Sequence, residues 1–199
     1  RYTSDEAQAY SSQELLQRDK AAYQFSADNI EMIGFDISTP ALTYAKEAGL
    51  IVDAVQADLE KNEITASQEK KLSAIDCIIS SGCIGYVTTK TLAKIMNACL
   101  PCTPWMAHCV LRMFSLDDLK EFFHTRGYHV DIHAEPVAQR RFASDEEQQQ
   151  VIARLKKLGV DPTGYEDTGW LYSWVVTAMP SVETVSQVYQ YQELQSEPC

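Results

Sequence analysis

Two aspartates, each placed after a short apolar run, are the first residues in this 199-residue chain whose positions suggest chemistry. Met32, Ile33 and Phe35 lead into Asp36, and the stretch 51–57 (IVDAVQA) leads into Asp58. Ligands of open parallel sheets bind beyond the carboxyl ends of the strands, and an acid there accepts hydrogen bonds from the vicinal hydroxyls of a ribose. Asp36 can instead cap the helix that follows it, and Asp58 can be a surface acid. A third apolar run, 75–80 (IDCIIS), enters the small residues Ser80, Ser81 and Gly82. Such a stretch either lets a ligand approach the backbone closely or is a simple turn.

Further along lie groups suited to an anionic or proton-bearing substrate. Arg140 and Arg141, flanked by Gln139 and Phe142, could grip a carboxylate or phosphate with paired hydrogen bonds, or neutralise the acidic helix start that follows. Tyr86 and His108 are the candidates for a general base, with His108 more at home as a satisfied core histidine. Arg112 suits a carboxylate or a neighbouring acid. Trp170, Tyr172 and Trp174 alternate, which places them on one face of a strand as core or as an acceptor wall. Cys99 and Cys102 form a CLPC pair at the end of a helical segment, where no helix N-terminus would activate a thiol, and no second CxxC follows to complete a metal site.

The elements that position these groups alternate. Buried-strand patterns are expected at 32–35, 51–57, 75–80, 105–113, 128–133 and 170–178. Between them stand helices with start and stop residues: Ser38 or Thr39 with Pro40 and Gly49, Thr88 or Thr89 through Leu100, Ser115 with Asp118 through Arg126 to Gly127, and Ser144 with Glu147 through Leu158 to Gly159. Residues 60–73 are charged and suggest a loop and an exposed helix. Residues 1–29 make a polar N-terminal helical segment, 30–180 one domain with a lid insertion at about 134–168, and 181–199 a Gln- and Glu-rich tail.

This order, strand-acid-helix, strand-acid, strand with small residues, strand, helix and a closing strand pair around a lid, resembles a class I S-adenosylmethionine-dependent methyltransferase entered just after its first strand. The resemblance spans roughly Glu31 to Pro180. It implies an α/β, Rossmann-like, mostly parallel sheet with a terminal antiparallel strand, S-adenosylmethionine as cofactor and a small-molecule acceptor. On it, Asp36 holds the ribose hydroxyls and Ile37 packs on the adenine. Asp58 meets the adenine amino group with Leu59 beside it, and Ser80, Ser81 and Gly82 line the methionine end and the acceptor. The chain departs from the family at one point: no GxG lies upstream of Glu31, and residues 1–29 contain no glycine. The family's central first strand and its Gly-rich loop therefore have no counterpart. One expectation is that they precede Arg1 in the parent protein; the other is that the strands of Asp36 and Ser80 pair directly. A non-catalytic methyltransferase-like binding or assembly module is the alternative function, with a nicotinamide dehydrogenase third.

A net charge of -11 and a pI near 4.8 argue against nucleic acid or an anionic membrane as partner. No apolar run approaches the roughly 20 residues of a bilayer span, and no secretory signal opens the chain, so a soluble, cytoplasmic protein with free thiols at its six cysteines is expected.

Overall fold

The computed structural model describes residues 9–22 and 30–182. The parts of the expected N-terminal helical segment at 1–8 and 23–29, and the tail beyond residue 182, lie outside them. The chain divides at 64/65 into two compact units, a boundary that falls inside the span expected as one domain.

The first unit begins with helix α1 (Ser12–Ala22), opened by Ser11 and Glu14. The Ser11 N–H donates to Glu14 Oε2 at 2.8 Å and the Glu14 N–H donates to Ser11 Oγ at 3.3 Å, so two donors with no partner inside the helix are satisfied reciprocally. Strand β1 (Ile33–Asp36), helix α2 (Thr39–Glu47) and strand β2 (Asp53–Gln56) form one parallel β-α-β turn, with Asp36 opposite Gln56. Ser38 caps α2, Pro40 occupies its first turn, and Gly49 leaves it at φ 75°. Gly34 permits close packing, since a Cβ there would press into Ile51 and Leu42. The run Met32 to Phe35 is less buried than its composition suggests: Met32 is 40% exposed, and no residue of β1 is fully buried. β1 hydrogen-bonds to one neighbour only, so its other edge carries no strand among the described residues.

The second unit holds helix α3 (Ala66–Leu72), strand β3 (Cys77–Ser81), helix α4 (Thr89–Ala98), strand β4 (Trp105–Leu111), helix α5 (Asp117–His124), strand β5 (Tyr128–Ile132), strand β6 (Val137–Arg141), helix α6 (Asp145–Lys157), a 3-10 turn (Glu166–Thr168) and strand β7 (Trp170–Pro180). The sheet order is β3-β4-β7-β5, with β6 also on β7. β3 and β4 are parallel, whereas β7 is antiparallel to β4, β5 and β6. One reversed strand thus lies between β4 and β5 in a sheet whose other strands share a direction, which is the α/β arrangement expected of a methyltransferase-type sheet. β1 pairs with β2 in one sheet and β3 with β4 in another, so the sheet partners of the Asp36 and Ser80 strands each lie within their own unit.

Alternation along the strands decides which side chains enter the core. Ile78, Met106, Val110, Val176 and Ala178 face α4 and α5, where Leu92, Met96, Leu119, Phe122 and Phe123 complete one cluster. Phe123 is fully buried, and its ring meets Phe122, Tyr128 and His108. Burying a ring of this size contributes on the order of 2 kcal/mol. Two local expectations are revised. Ser115 makes no capping box with Asp118: its hydroxyl accepts from the Asp117 N–H at 3.1 Å, and α5 starts one turn position later without a side-chain cap. The lid is also part of the sheet at its start, because residues 137–141 form β6.

Candidate functional site

A cavity of about 610 Å³ opens at the carboxyl ends of β3 and β4 in the second unit, within the range of small-molecule sites. Leu111, Met113, Val151 and Leu171 give it an apolar floor; Ser81, Gly82, Tyr86, Gln139, Arg140, Glu147, Gln150 and Arg154 supply its polar lining. Strand pleat explains the selection. Ser81 pairs with Cys109, and Leu111 pairs with Ser173, so these residues share the sheet face that carries Leu171. Trp170, Tyr172 and Trp174 alternate with Leu171 and therefore lie on the other face.

β6 reaches the cavity through an irregularity. Ala138 pairs with Tyr172 and Arg140 with Leu171, which leaves Gln139 as an extra residue in the ladder. Such a bulge turns a side chain out of the regular alternation. Gln139 and Arg140, adjacent in sequence, consequently both line the cavity, and Ser81 Oγ donates to Gln139 Oε1 at 2.9 Å.

α6 forms the opposite wall. Ser144 caps it by accepting from the Glu147 N–H at 3.2 Å, and the positions 147, 150, 151 and 154 fall on one helical face. Val151 and Leu155 anchor that helix on Leu111, Met113 and Leu171. Arg140 donates from both terminal nitrogens to Glu147, at 3.1 and 2.6 Å, and the Ala143 N–H donates to the same carboxylate at 2.7 Å. The Arg140 contact, reinforced by Ala143, holds the Glu147 carboxyl below its ordinary range; the same pairing holds the Arg140 guanidinium above its own. Arg154 donates from Nε to the Met113 carbonyl at 3.0 Å and lies over the Phe114 ring at 4.8 Å. That ring also meets Tyr86 edge-on at 5.1 Å. Gly85 makes room for it, since a Cβ at this φ 105° residue would overlap Phe114.

Other residues singled out in the sequence lie elsewhere. Ser80 faces the core, where its hydroxyl is 2.7 Å from His108 Nδ1. His108 is fully buried against Phe123, and burial pushes its pKa down to about 4, so it is a neutral packing group away from the cavity. Arg112 is buried too: Nη1 donates to Glu166 at 2.6 Å and Nη2 to the Asp161 carbonyl at 2.8 Å, with Tyr165 stacked at 4.3 Å. Desolvation raises the Glu166 pKa, and Arg112 opposes that rise. Arg141 lies over Trp170 at 4.8 Å. Cys99 is buried with its thiol pushed up to about 11, so at neutral pH it is a protonated packing group. Among the described residues no cluster of His, Cys, Asp or Glu is arranged to hold a metal, and no helix is long and apolar enough to cross a membrane.

In the first unit, Asp36 stands at the end of β1 with Oδ1 accepting the Ser38 N–H at 2.7 Å. Oδ2 has no hydrogen-bond partner among the described residues. Ile37 is 65% exposed, and Asp58 pairs with Lys61 at 3.0 Å, a contact that lowers its pKa. Leu59 is buried in the core, so it presents backbone and not side chain.

The chain is similar to a solved methyltransferase structure. That structure is a precorrin-6y C5,15-methyltransferase from Geobacter metallireducens GS-15, at 16% identity and a TM-score of 0.36, over 85% of this chain and 89% of that one. No family model and no curated protein matches the chain.

Gln150 and Arg154 carry no signal by residue type, and Glu147 reads only as the capping partner of Ser144. Their signal is periodic: they share the face of Val151 on the helix that Ser144 opens, and that helix was legible.

Proposed function

We propose that the protein carries out S-adenosylmethionine-dependent methyl transfer to a small-molecule acceptor. The observation that carries this reading is the reversed β7 between β4 and β5, with a cavity at the carboxyl ends of β3 and β4. The donor set is suited to the cofactor. Asp36, oriented by the Ser38 N–H, offers Oδ2 to a ribose diol, and Asp58 and Ile37 would serve the adenine end. Within the second unit, Ser81 and Gly82 are the small residues that line the cavity, whereas Ser80 is committed to His108.

When bound, the cofactor supplies an electrophilic methyl group, and the work of the chain is alignment. Tyr86 is the one proton-bearing candidate that lines the cavity, since His108 is enclosed.

Calorimetric titration of S-adenosylmethionine and S-adenosylhomocysteine into the protein, with any natural flanking residues included, tests the reading. Saturable binding is expected, and Asp36→Ala should weaken it about tenfold or more, as loss of a charge-assisted hydrogen bond does. A folded protein that binds neither compound leaves the non-catalytic module.

A further inference from the structure

The cavity contains two guanidinium groups and they are not equivalent. Arg140 spends both terminal nitrogens on Glu147, so that pair is neutral as a unit. Arg154 is held only at Nε, by the Met113 carbonyl, and its guanidinium carbon lies over the Phe114 ring. Its Nη1 and Nη2 have no hydrogen-bond partner among the described residues, and the residue lines the cavity together with Met113, Val151 and Leu171. A planar fork fixed from behind, with two donors left, matches the two oxygens of a carboxylate.

We infer that Arg154 is the specificity-determining residue of this cavity and that the acceptor is an apolar or aromatic monocarboxylate. The inference rests on the small-molecule methyl-transfer reading and deepens it. The carboxylate binds the Arg154 fork, and the body of the molecule covers the apolar floor. Gln139 and Gln150 add neutral hydrogen bonding at the side. The remaining positive charge is one, which suits one carboxylate better than a phosphate dianion. This assigns to Arg154 the role that the sequence suggested for Arg140 and Arg141.

Phenylacetate and its neutral isostere phenylacetamide are suitable probes, measured by ligand-observed NMR titration with and without saturating S-adenosylhomocysteine. Phenylacetate should bind about tenfold more tightly than the amide. Arg154→Gln should remove that preference, and Arg154→Lys should restore only part of it, because an ammonium cannot reproduce the fork. Circular dichroism melts confirm that both variants fold, and S-adenosylhomocysteine affinity should not change in either. Equal binding of the two probes, no binding of either, or an unchanged preference in Arg154→Gln overturns the inference. Failure of S-adenosylhomocysteine to bind, with the phenylacetate preference intact, overturns the methyl-transfer reading instead.

Discussion

Arg140 and Glu147 form a two-pronged ion pair across the cavity, joining the bulged strand β6 to the first turn of α6 at 3.1 and 2.6 Å. The pair does two jobs: it staples the helix to the sheet and removes one cation from the lining. Glu147→Gln should separate them. Stability should fall by about 1 kcal/mol, the scale of an exposed pair plus a weakened helix-start contact. Phenylacetate affinity should rise about threefold as Arg140 becomes available. Urea melts and the same titration measure both effects. Because the folded Glu147 pKa is lowered, its stabilising contribution is present above the ordinary carboxylate range and is lost as pH falls through the folded value.

His108 should make the fold acid-sensitive. Its folded pKa is about 4, against 6.5 for an unhindered histidine, so the unfolded chain takes up the proton first as pH falls. Stability contributed by the neutral ring is complete above 6.5 and declines towards 4, by a total on the order of 3 kcal/mol. Denaturant melts at pH 7, 5.5 and 4 should show that decline, and His108→Gln should flatten it over the same window.

Arg112 and Glu166 join β4 to the turn before β7 inside the protein. Arg112→Met strands a buried carboxylate and should cost about 3–5 kcal/mol, whereas Arg112→Met combined with Glu166→Leu should recover most of that loss. A double variant no more stable than the single one would refute the account. Neither change should abolish probe binding in protein that remains folded, since neither residue lines the cavity.

Gly85→Ala should affect the site from behind. Its φ of 105° is strained for any residue with a Cβ, and that atom would overlap Phe114. A loss of about 1–3 kcal/mol is expected from strain and overpacking. Phe114 underlies both Tyr86 and Arg154, so phenylacetate affinity should fall with stability. Phe114→Leu, which keeps an apolar side chain but no ring, should lower affinity with a smaller effect on the melt.

The sequence displayed the parts whose signals are local. Ser144 with Glu147, Thr88 and Ser38 marked helix starts because capping is decided within four residues, and the apolar runs ending at Asp36 and Ser80 marked strands. β6 escaped because VAQRR is polar and lies mostly exposed at the end of the sheet, so no apolar alternation reveals it. Ser80 and Ser81 read alike as small residues, yet pleat sends one to His108 and the other to the cavity. Only the register against β4 separates them. For Arg112 the sequence leaves a ligand carboxylate and a protein acid both open, because its partner Glu166 is 54 residues away. His108 reads as a core histidine from its place inside an apolar strand pattern, and it is buried against Phe123 of α5 as that reading expects.

The extra residue in β6 has an evolutionary consequence. Ala138 and Arg140 already face consecutive residues of β7, so removing the Gln139 codon would delete one amide from the cavity and leave every cross-strand partner where it is. Insertions and deletions in strands ordinarily shift all that follows to the opposite side. Here the wall of the cavity can gain or lose a side chain in a single genetic event without a change of register.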